Sequence, residues 1–260
     1  MRLAILRPAD RLEESVAMAK DMGFETIAAS PLAIKPNDDA STEHLVRALK
    51  HHAVDHVVIT SSAGVASILA LAKAHDADLI GLLNRCAVTA IGPATAQAMA
   101  AAGIRMDMMP GEFTSAGLVD MLTAMGISGR TVCLLRSDHG DPVLVTGLQD
   151  AGASVLEVAV YRLVPRPDDE DLAALVREAL AGKVDAFAFP SAMTATTFIE
   201  AAELMGAREK LIAMLNDRLV AAIGPPTRKR LEDMGVRVGV MPEQATFKAM
   251  LEALKDSPIC

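Results

Sequence analysis

Short runs of apolar and β-branched residues alternate along the chain with stretches in which apolar side chains recur at helical spacing. The runs predict strands at Leu3–Leu6, Glu25–Ala29, His56–Thr60, Val88–Ile91, Arg105–Met108, Val132–Leu135, Ser154–Tyr161, Phe187–Phe189, Leu219–Ile223 and Arg237–Val240. Several are apolar at every position, which is the pattern of parallel strands covered on both faces. Stretches such as EESVAMAKDMG and DLAALVREALAG carry the helical spacing. Asp10 followed by Glu13 predicts a capping box, and Gly23 and Gly182 stand where helices should stop. The alternation predicts an α/β fold with doubly wound, mainly parallel sheets.

The pattern occurs twice. Ala90-Ile91-Gly92-Pro93-Ala94-Thr95 returns 132 positions later as Ala222-Ile223-Gly224-Pro225-Pro226-Thr227. Gly103, Pro110, Thr114 and Leu122 return at the same interval as Gly235, Pro242, Thr246 and Leu254. Asp55 and Ser61 return as Asp185 and Ser191, and Leu6-Arg7, Gly23 and Pro36 return as Leu135-Arg136, Gly152 and Pro165. Two similar lobes of roughly 130 residues, with a ligand between them, are the expectation. Two segments rich in Pro and Asp, Pro31–Asp39 and Val164–Asp169, are related by the repeat and mark the junctions. If both cross between the lobes they form a two-stranded hinge around a discontinuous domain. A plain tandem order fits the periodicity equally well.

Composition narrows the class. Of 260 residues 52% are hydrophobic, ample for two cores, with no Trp and a single Tyr. No apolar run approaches the roughly 18–20 residues of a membrane span. The N-terminal MRLAILRPADRLEES lacks the apolar core of a signal peptide, so a cytoplasmic protein is expected. Cys86, Cys133 and Cys260 are scattered without a CxxC pair, and Cys133, inside TVCLL, reads as buried and inert. A net charge of −8 argues against nucleic-acid binding and means that an anionic ligand must be held by local donors.

Three loop types supply such donors. Thr60-Ser61-Ser62 and Pro190-Ser191-Ala192 each follow an apolar strand and precede a helix. Their hydroxyls fit N-caps, and capping alone accounts for each; the same helix N-termini also suit carboxylate or phosphate. In the Gly-Pro-x-Thr loops, Gly92 and Gly224 allow close backbone approach, while Thr95 and Thr227 fall in the first helical turn. Arg7 and Arg136 end the first strand of each half, where a guanidinium could grip a carboxylate or simply be solvated. His139 follows in a loop and could move a proton near neutrality. Tyr161 closes the run LEVAVY and could donate a proton or pack its ring. No nucleotide-binding fingerprint and no GxSxG elbow appears, and His44, His51, His52 and His56 lack companions at ligand spacing, so no metal and no cofactor are expected.

Taken in order, ITSSAGV, AIGPATAQAM, GLQDAGASVLEVAVYRLVP, DAFAFPSAMT and AAIGPPTRKRLEDMGVRV resemble the uroporphyrinogen-III synthase family over nearly the whole chain. The resemblance implies two α/β lobes joined by a two-stranded β linker, with a ligand cleft between them. One lobe would comprise residues 1–35 plus 168–260 and the other 36–167. It implies an enzyme, a cofactor-independent hydro-lyase that cyclises hydroxymethylbilane to uroporphyrinogen III with loss of water and inversion of ring D. A monomer is expected, with room for transient contact with the preceding pathway enzyme. Tyr161 matches the family's cleft tyrosine and is the candidate general acid. Thr227 matches the threonine of its Gly-Pro-x-Thr loop, and Thr60, Ser61 and Ser191 match its strand-end hydroxyls. Pro190 stands where the family commonly has threonine, so that position carries over neither a hydroxyl nor an amide. Two other readings compete: a two-lobed binding module of the periplasmic-receptor type, against which the expected absence of a secretion signal counts, and a relative that binds tetrapyrroles without turnover.

Overall fold

A computed structural model describes residues 1–75, 78–140 and 142–257, the side chain of Asp10 excepted; Cys260 lies outside the described residues. In chain order the elements are β1 (Arg2–Leu6), α1 (Ala9–Asp21), β2 (Glu25–Ala29), β3 (Leu32–Pro36), α2 (Ala40–Lys50), β4 (His56–Ile59), α3 (Ser62–Ala74), α4 (Leu79–Leu83) and β5 (Ala87–Ala90). They continue with α5 (Pro93–Ala101), α6 (Ser115–Ala124), β6 (Thr131–Ser137), α7 (Pro142–Asp150), β7 (Ser154–Pro165), α8 (Glu170–Leu180) and β8 (Ala186–Phe189). Last come α9 (Ala192–Leu204), α10 (Arg208–Asn216), β9 (Leu219–Ala222), α11 (Pro225–Asp233) and α12 (Phe247–Asp256).

Contacts divide the chain into two units, Met1–Ala33 with Val164–Cys260, and Ile34–Leu163. The first holds a four-stranded sheet in the order β2-β1-β8-β9, and the second sheet runs β3-β7-β6-β4-β5. The repeat maps β1, β2, β8 and β9 onto β6, β7, β4 and β5, so the two sheets share one strand order. The pairs β1–β2, β1–β8, β8–β9, β4–β5, β4–β6 and β6–β7 are all parallel. Both chain crossings between units fall in β3 and β7, which are neighbours in the sheet. Arg166 N–H donates to Pro31 O at 2.9 Å and Asn37 N–H to Val160 O at 3.0 Å, so the two strands run in opposite senses.

Continuous apolar runs become central strands because helices cover both faces. Leu3 and Ile5 of β1 enter one cluster with Phe247, Met250 and Leu254, while Ala4 and Leu6 enter another with Phe187, Phe189 and Phe198. The three phenylalanine rings pack with centroids 6.0–6.5 Å apart. In the second unit, Val57 and Ile59 of β4 face the cluster of Leu45, Ile68 and Leu83, and Val58 faces that of Leu118 and Leu148. Cys133 is fully buried, and burial pushes its thiol well above the ordinary range.

The helix stops are as read: Gly23 and Gly182 adopt φ of 91° and 74° just past α1 and α8. Two readings need correction. The capping box fails, because α1 begins at Ala9 with Pro8 in the N-cap position and no side-chain cap, leaving Asp10 inside the first turn. Arg105–Met108 and Arg237–Val240 form no strands; each makes one isolated bridge, Thr89 with Met108 and Ala221 with Val240. Pro110 and Pro242 follow two residues later and cannot donate to a ladder, which accounts for pairing that stops at one residue. The junction segment Pro31–Asp39 contains the strand β3, which lies beside β7.

Repeated polar residues tie down the ends opposite the candidate loops. Asp55 Oδ2 accepts from Thr131 N–H at 2.8 Å, and Asp185 Oδ2 accepts from Arg2 N–H at 2.7 Å. The Thr131 amide, helped by Arg130, holds the Asp55 carboxyl below its usual range. Asn84 and Asn216 each donate to a glycine carbonyl and accept an arginine amide, Gly103 and Arg105 in one unit, Gly235 and Arg237 in the other.

Candidate functional site

In each unit the candidate residues gather at one sheet edge, because each follows or ends a parallel strand. In the first unit Arg7 follows β1, Ser191 and Ala192 follow β8, and Gly224 and Thr227 follow β9. These three strands are adjacent. In the second, Arg136 lies near the end of β6, Thr60, Ser61 and Ser62 follow β4, and Gly92 and Thr95 follow β5. The carboxyl edge of an open parallel sheet is where α/β proteins bind ligands.

The repeat holds at the level of torsion angles. Ser61 (φ −161°, ψ 155°) and Ser191 (φ −159°, ψ 156°) are N-caps, and their Oγ atoms accept from Gly64 N–H at 3.0 Å and Thr194 N–H at 3.1 Å. Gly92 (φ −170°) and Gly224 (φ −172°) are the N-caps of α5 and α11, in extended backbone open to any residue. Glycine has no side chain to cap with, so these two helices leave first-turn amides available in a way that α3 and α9 do not. Pro93 removes one donor from α5, leaving Ala94 and Thr95; Pro225 and Pro226 remove two from α11, leaving Thr227. Thr95 and Thr227 are both buried.

Tyr161 is placed by an irregularity. β6 and β7 pair Arg136 with Ala159 and then Ser137 with Tyr161, so one residue of β7 is skipped. Such a bulge re-aims the side chains that follow it. The Tyr161 side chain lies in the core of its unit at 5% exposure, its hydroxyl 3.0 Å from Ser61 Oγ. The phenol therefore meets the N-cap of α3, on the same edge as Thr60 and Ser62. Its repeat position in the other unit is Leu32, so the phenol belongs to one unit alone.

The two arginines have unlike surroundings. Arg136 is 5% exposed; its Nε donates to Glu157 Oε1 at 3.0 Å, and Gly140 passes so close that a Cβ there would overlap the guanidinium. Arg7 is half-buried, with Nε donating to Ser15 Oγ at 3.1 Å and its guanidinium 4.8 Å from the centroid of the Phe247 ring. His139 is exposed, with Nδ1 2.9 Å from Asp138 Oδ1. Among the described residues no group of three or more His, Cys, Asp or Glu is placed to hold a metal ion. A surface hollow of about 390 Å³ runs along α2, lined by Thr42, Val46, Arg47, Lys50, His51 and His75, and none of the candidate residues borders it.

Sequence reasoning overlooked Phe113, Glu157 and Phe247. Glu157 and Phe247 are strand and helix residues whose meeting with arginines depends on tertiary packing. Phe113 did carry a signal, since the loop Pro-Gly-Glu-Phe-Thr recurs as Pro-Glu-Gln-Ala-Thr, with alanine in its place.

Comparison with known proteins matches residues 13–252 to the family model described as uroporphyrinogen-III synthase HemD. A protein of Methanothermobacter thermautotrophicus named "Putative uroporphyrinogen-III synthase" is 35% identical over 97% of this chain and 96% of its own length. The uroporphyrinogen-III synthase of Chlorobaculum parvum is 26% identical over 96% of this chain and 98% of its own. A crystal structure of a mutant uroporphyrinogen III synthase from Thermus thermophilus superposes with a TM-score of 0.52 at 27% identity, covering 98% and 97% of the two chains. The Helicobacter pylori uroporphyrinogen-III synthetase structure, at 14% identity and a TM-score of 0.55 over 97% of each chain, shares the fold. With the family model spanning most of its length, this chain belongs to the uroporphyrinogen-III synthase family.

Proposed function

We propose that this protein is a uroporphyrinogen-III synthase, converting hydroxymethylbilane to uroporphyrinogen III with loss of water and inversion of ring D. The observation that carries the reading is the doubled donor set. In each unit, strand-end hydroxyls and a helix N-terminus without a side-chain cap share one sheet edge. A linear tetrapyrrole bearing eight carboxylates needs many anion contacts. Helix amides can supply them in a chain of net charge −8.

The chemistry makes modest demands. The electron-rich pyrrole expels the terminal hydroxyl, which leaves with a proton as water, and the resulting azafulvenium carbon is attacked to give a spiro intermediate. That intermediate fragments and recloses with ring D inverted. The protein has to hold the two ends in register and prevent direct closure to the uninverted isomer. Tyr161 is the candidate to protonate the departing hydroxyl. Its hydroxyl, 3.0 Å from the Ser61 N-cap, is oriented by a hydrogen bond; the phenolate left after proton transfer would accept a hydrogen bond from Ser61 Oγ–H and regain its proton from solvent. Thr60, Ser61, Ser62, Gly92, Thr95 and Arg136 in one unit, and Arg7, Ser191, Ala192, Gly224 and Thr227 in the other, are the proposed substrate contacts. The reading includes a cofactor-independent, cytoplasmic monomer.

The test is turnover of freshly made hydroxymethylbilane, with the uroporphyrin isomers resolved after oxidation. The type III isomer is expected to dominate. If type I dominates as in an enzyme-free control, the catalytic reading is wrong, and saturable tetrapyrrole binding in that sample would identify a binding module instead.

A further inference from the structure

Of the six phenylalanines, Phe24, Phe187, Phe189, Phe198 and Phe247 are buried, whereas Phe113 is 53% exposed. An aromatic ring left in water forfeits the burial that keeps the other five inside. Nor is the ring on a loose loop. Thr114 N–H donates to Glu112 O at 2.8 Å, and Thr114 Oγ1 caps α6 by accepting from Gly117 N–H at 3.0 Å.

The position is specific. A Cβ built on Gly92 would come within 3.3 Å of Phe113 Cβ and Cγ, so Phe113 lies directly against the N-cap of α5. Gly92 has extended backbone, so what favours glycine there is the tight space beside Phe113 and not torsion. Met109, also exposed, follows the bridge from Met108 to Thr89 on the same loop.

The repeat supplies an internal control. In the other unit Ala245 stands where Phe113 does, and a Cβ on Gly224 would meet only Ala245 Cβ, at 3.8 Å. That loop closes the same way, with Thr246 Oγ1 accepting from Ala249 N–H at 3.1 Å. The loop fold therefore does not need an aromatic residue. The ring has been placed at one of two equivalent helix N-termini, and only there.

We propose that Phe113 is a positioning residue of the candidate site, packing its ring against a carboxylate-bearing pyrrole ring of the substrate. The inference rests on the tetrapyrrole reading above and adds an asymmetry to it. The second unit orients a ring as well as an acid group, while the first holds acid groups alone.

The experiment compares wild type, Phe113→Ala, Phe113→Leu and Phe113→Trp. The readouts are KM, kcat and isomer ratio with hydroxymethylbilane, the Kd for uroporphyrin III by its own fluorescence, and thermal unfolding. Phe113→Ala is expected to raise KM and Kd about five- to tenfold and to increase the type I fraction, with kcat less affected and unfolding unchanged. Phe113→Trp is expected to restore binding. Phe113→Leu, which keeps apolar bulk without an aromatic face, is expected to restore it in part and decides the matter if the alanine variant is unstable. Unchanged KM, Kd and isomer ratio in Phe113→Ala overturn the inference while leaving the synthase reading intact. A wild type that binds uroporphyrin III without turnover refutes the synthase reading, and the Kd series then decides on Phe113. A wild type that neither binds nor turns over refutes both.

Discussion

Replacing Tyr161 with phenylalanine separates what the phenol does for the fold from what it does for the reaction. The change deletes one oxygen, 3.0 Å from Ser61 Oγ. A neutral hydrogen bond of this kind contributes about 1 kcal/mol net. Ser61 keeps its bond from Gly64 N–H at 3.0 Å, so its oxygen is not stranded. The ring stays packed among the buried residues of its unit, and no cavity opens. The expected loss is therefore about 1 kcal/mol, which lowers the midpoint of thermal unfolding by about 2–4 °C in a chain of this size. Turnover should fall several-fold or more, short of the roughly 10²–10⁴ expected of an obligatory general acid, because helix amides and a reactive pyrrole share the work. Ser61→Ala removes the α3 cap as well and should cost about 1 kcal/mol more. The double variant then measures the coupling between the two hydroxyls. Circular dichroism melts and single-turnover isomer analysis give both quantities. A Tyr161→Phe enzyme that loses the expected stability yet turns over at the wild-type rate would show that the phenol only packs and caps.

Gly224→Asp places a carboxylate at the N-cap of α11, where the extended backbone and the 3.8 Å to Ala245 Cβ leave room for it. Stability should hold or rise by about 0.5 kcal/mol, while KM for hydroxymethylbilane rises at least about tenfold as the internal acid occupies the Thr227 amide; an unchanged KM removes that helix from the substrate site. His56 is buried with Nε2 2.8 Å from Thr89 Oγ1, and burial lowers its pKa below the ordinary 6.5 against the opposing pull of Asp107 and Asp55. The folded state holds the ring neutral while the unfolded chain takes up a proton, so stability is full above about pH 6.5 and declines as pH falls below it. Melts between pH 7.5 and 5.5 should lose more for wild type than for His56→Gln, and parallel losses would contradict the assignment.

The parts of the fold legible in the sequence were those set by local pattern. Val57–Ile59 and Ala186–Phe189 are apolar at every position, the mark of strands buried on both faces, and that can be read without knowing the neighbours. Gly23 and Gly182 end helices through their own positive φ. What a partner decides is less legible. Leu32–Pro36 reads as a junction from its prolines, and its being a strand depends on β7 lying beside it. Arg237–Val240 has strand composition, but Pro242 leaves its ladder nowhere to go. The candidate site divides the same way. Ser61, Ser191, Gly92 and Gly224 announce themselves by following strands and opening helices. The burial of Tyr161 depends on a skipped residue between β6 and β7, which no periodicity records. Glu157, the partner of Arg136, is set by strand register in the same manner.

The parallel pairing of β1 with β8 joins Leu3 to Ala186. As the chain is synthesised, β1, one of the two inner strands of the first sheet, is made well before β8, its partner some 180 residues further on. Residues Ile34–Leu163 form a contiguous unit that can close around its own core in that interval. During the same interval β1, whose Leu3–Leu6 are all fully buried in the finished protein, has only β2 and α1 for cover. The topology thus predicts folding from the inside outward, with the middle segment closing first. Through most of synthesis, the N-terminal strand is the segment most in need of protection from aggregation.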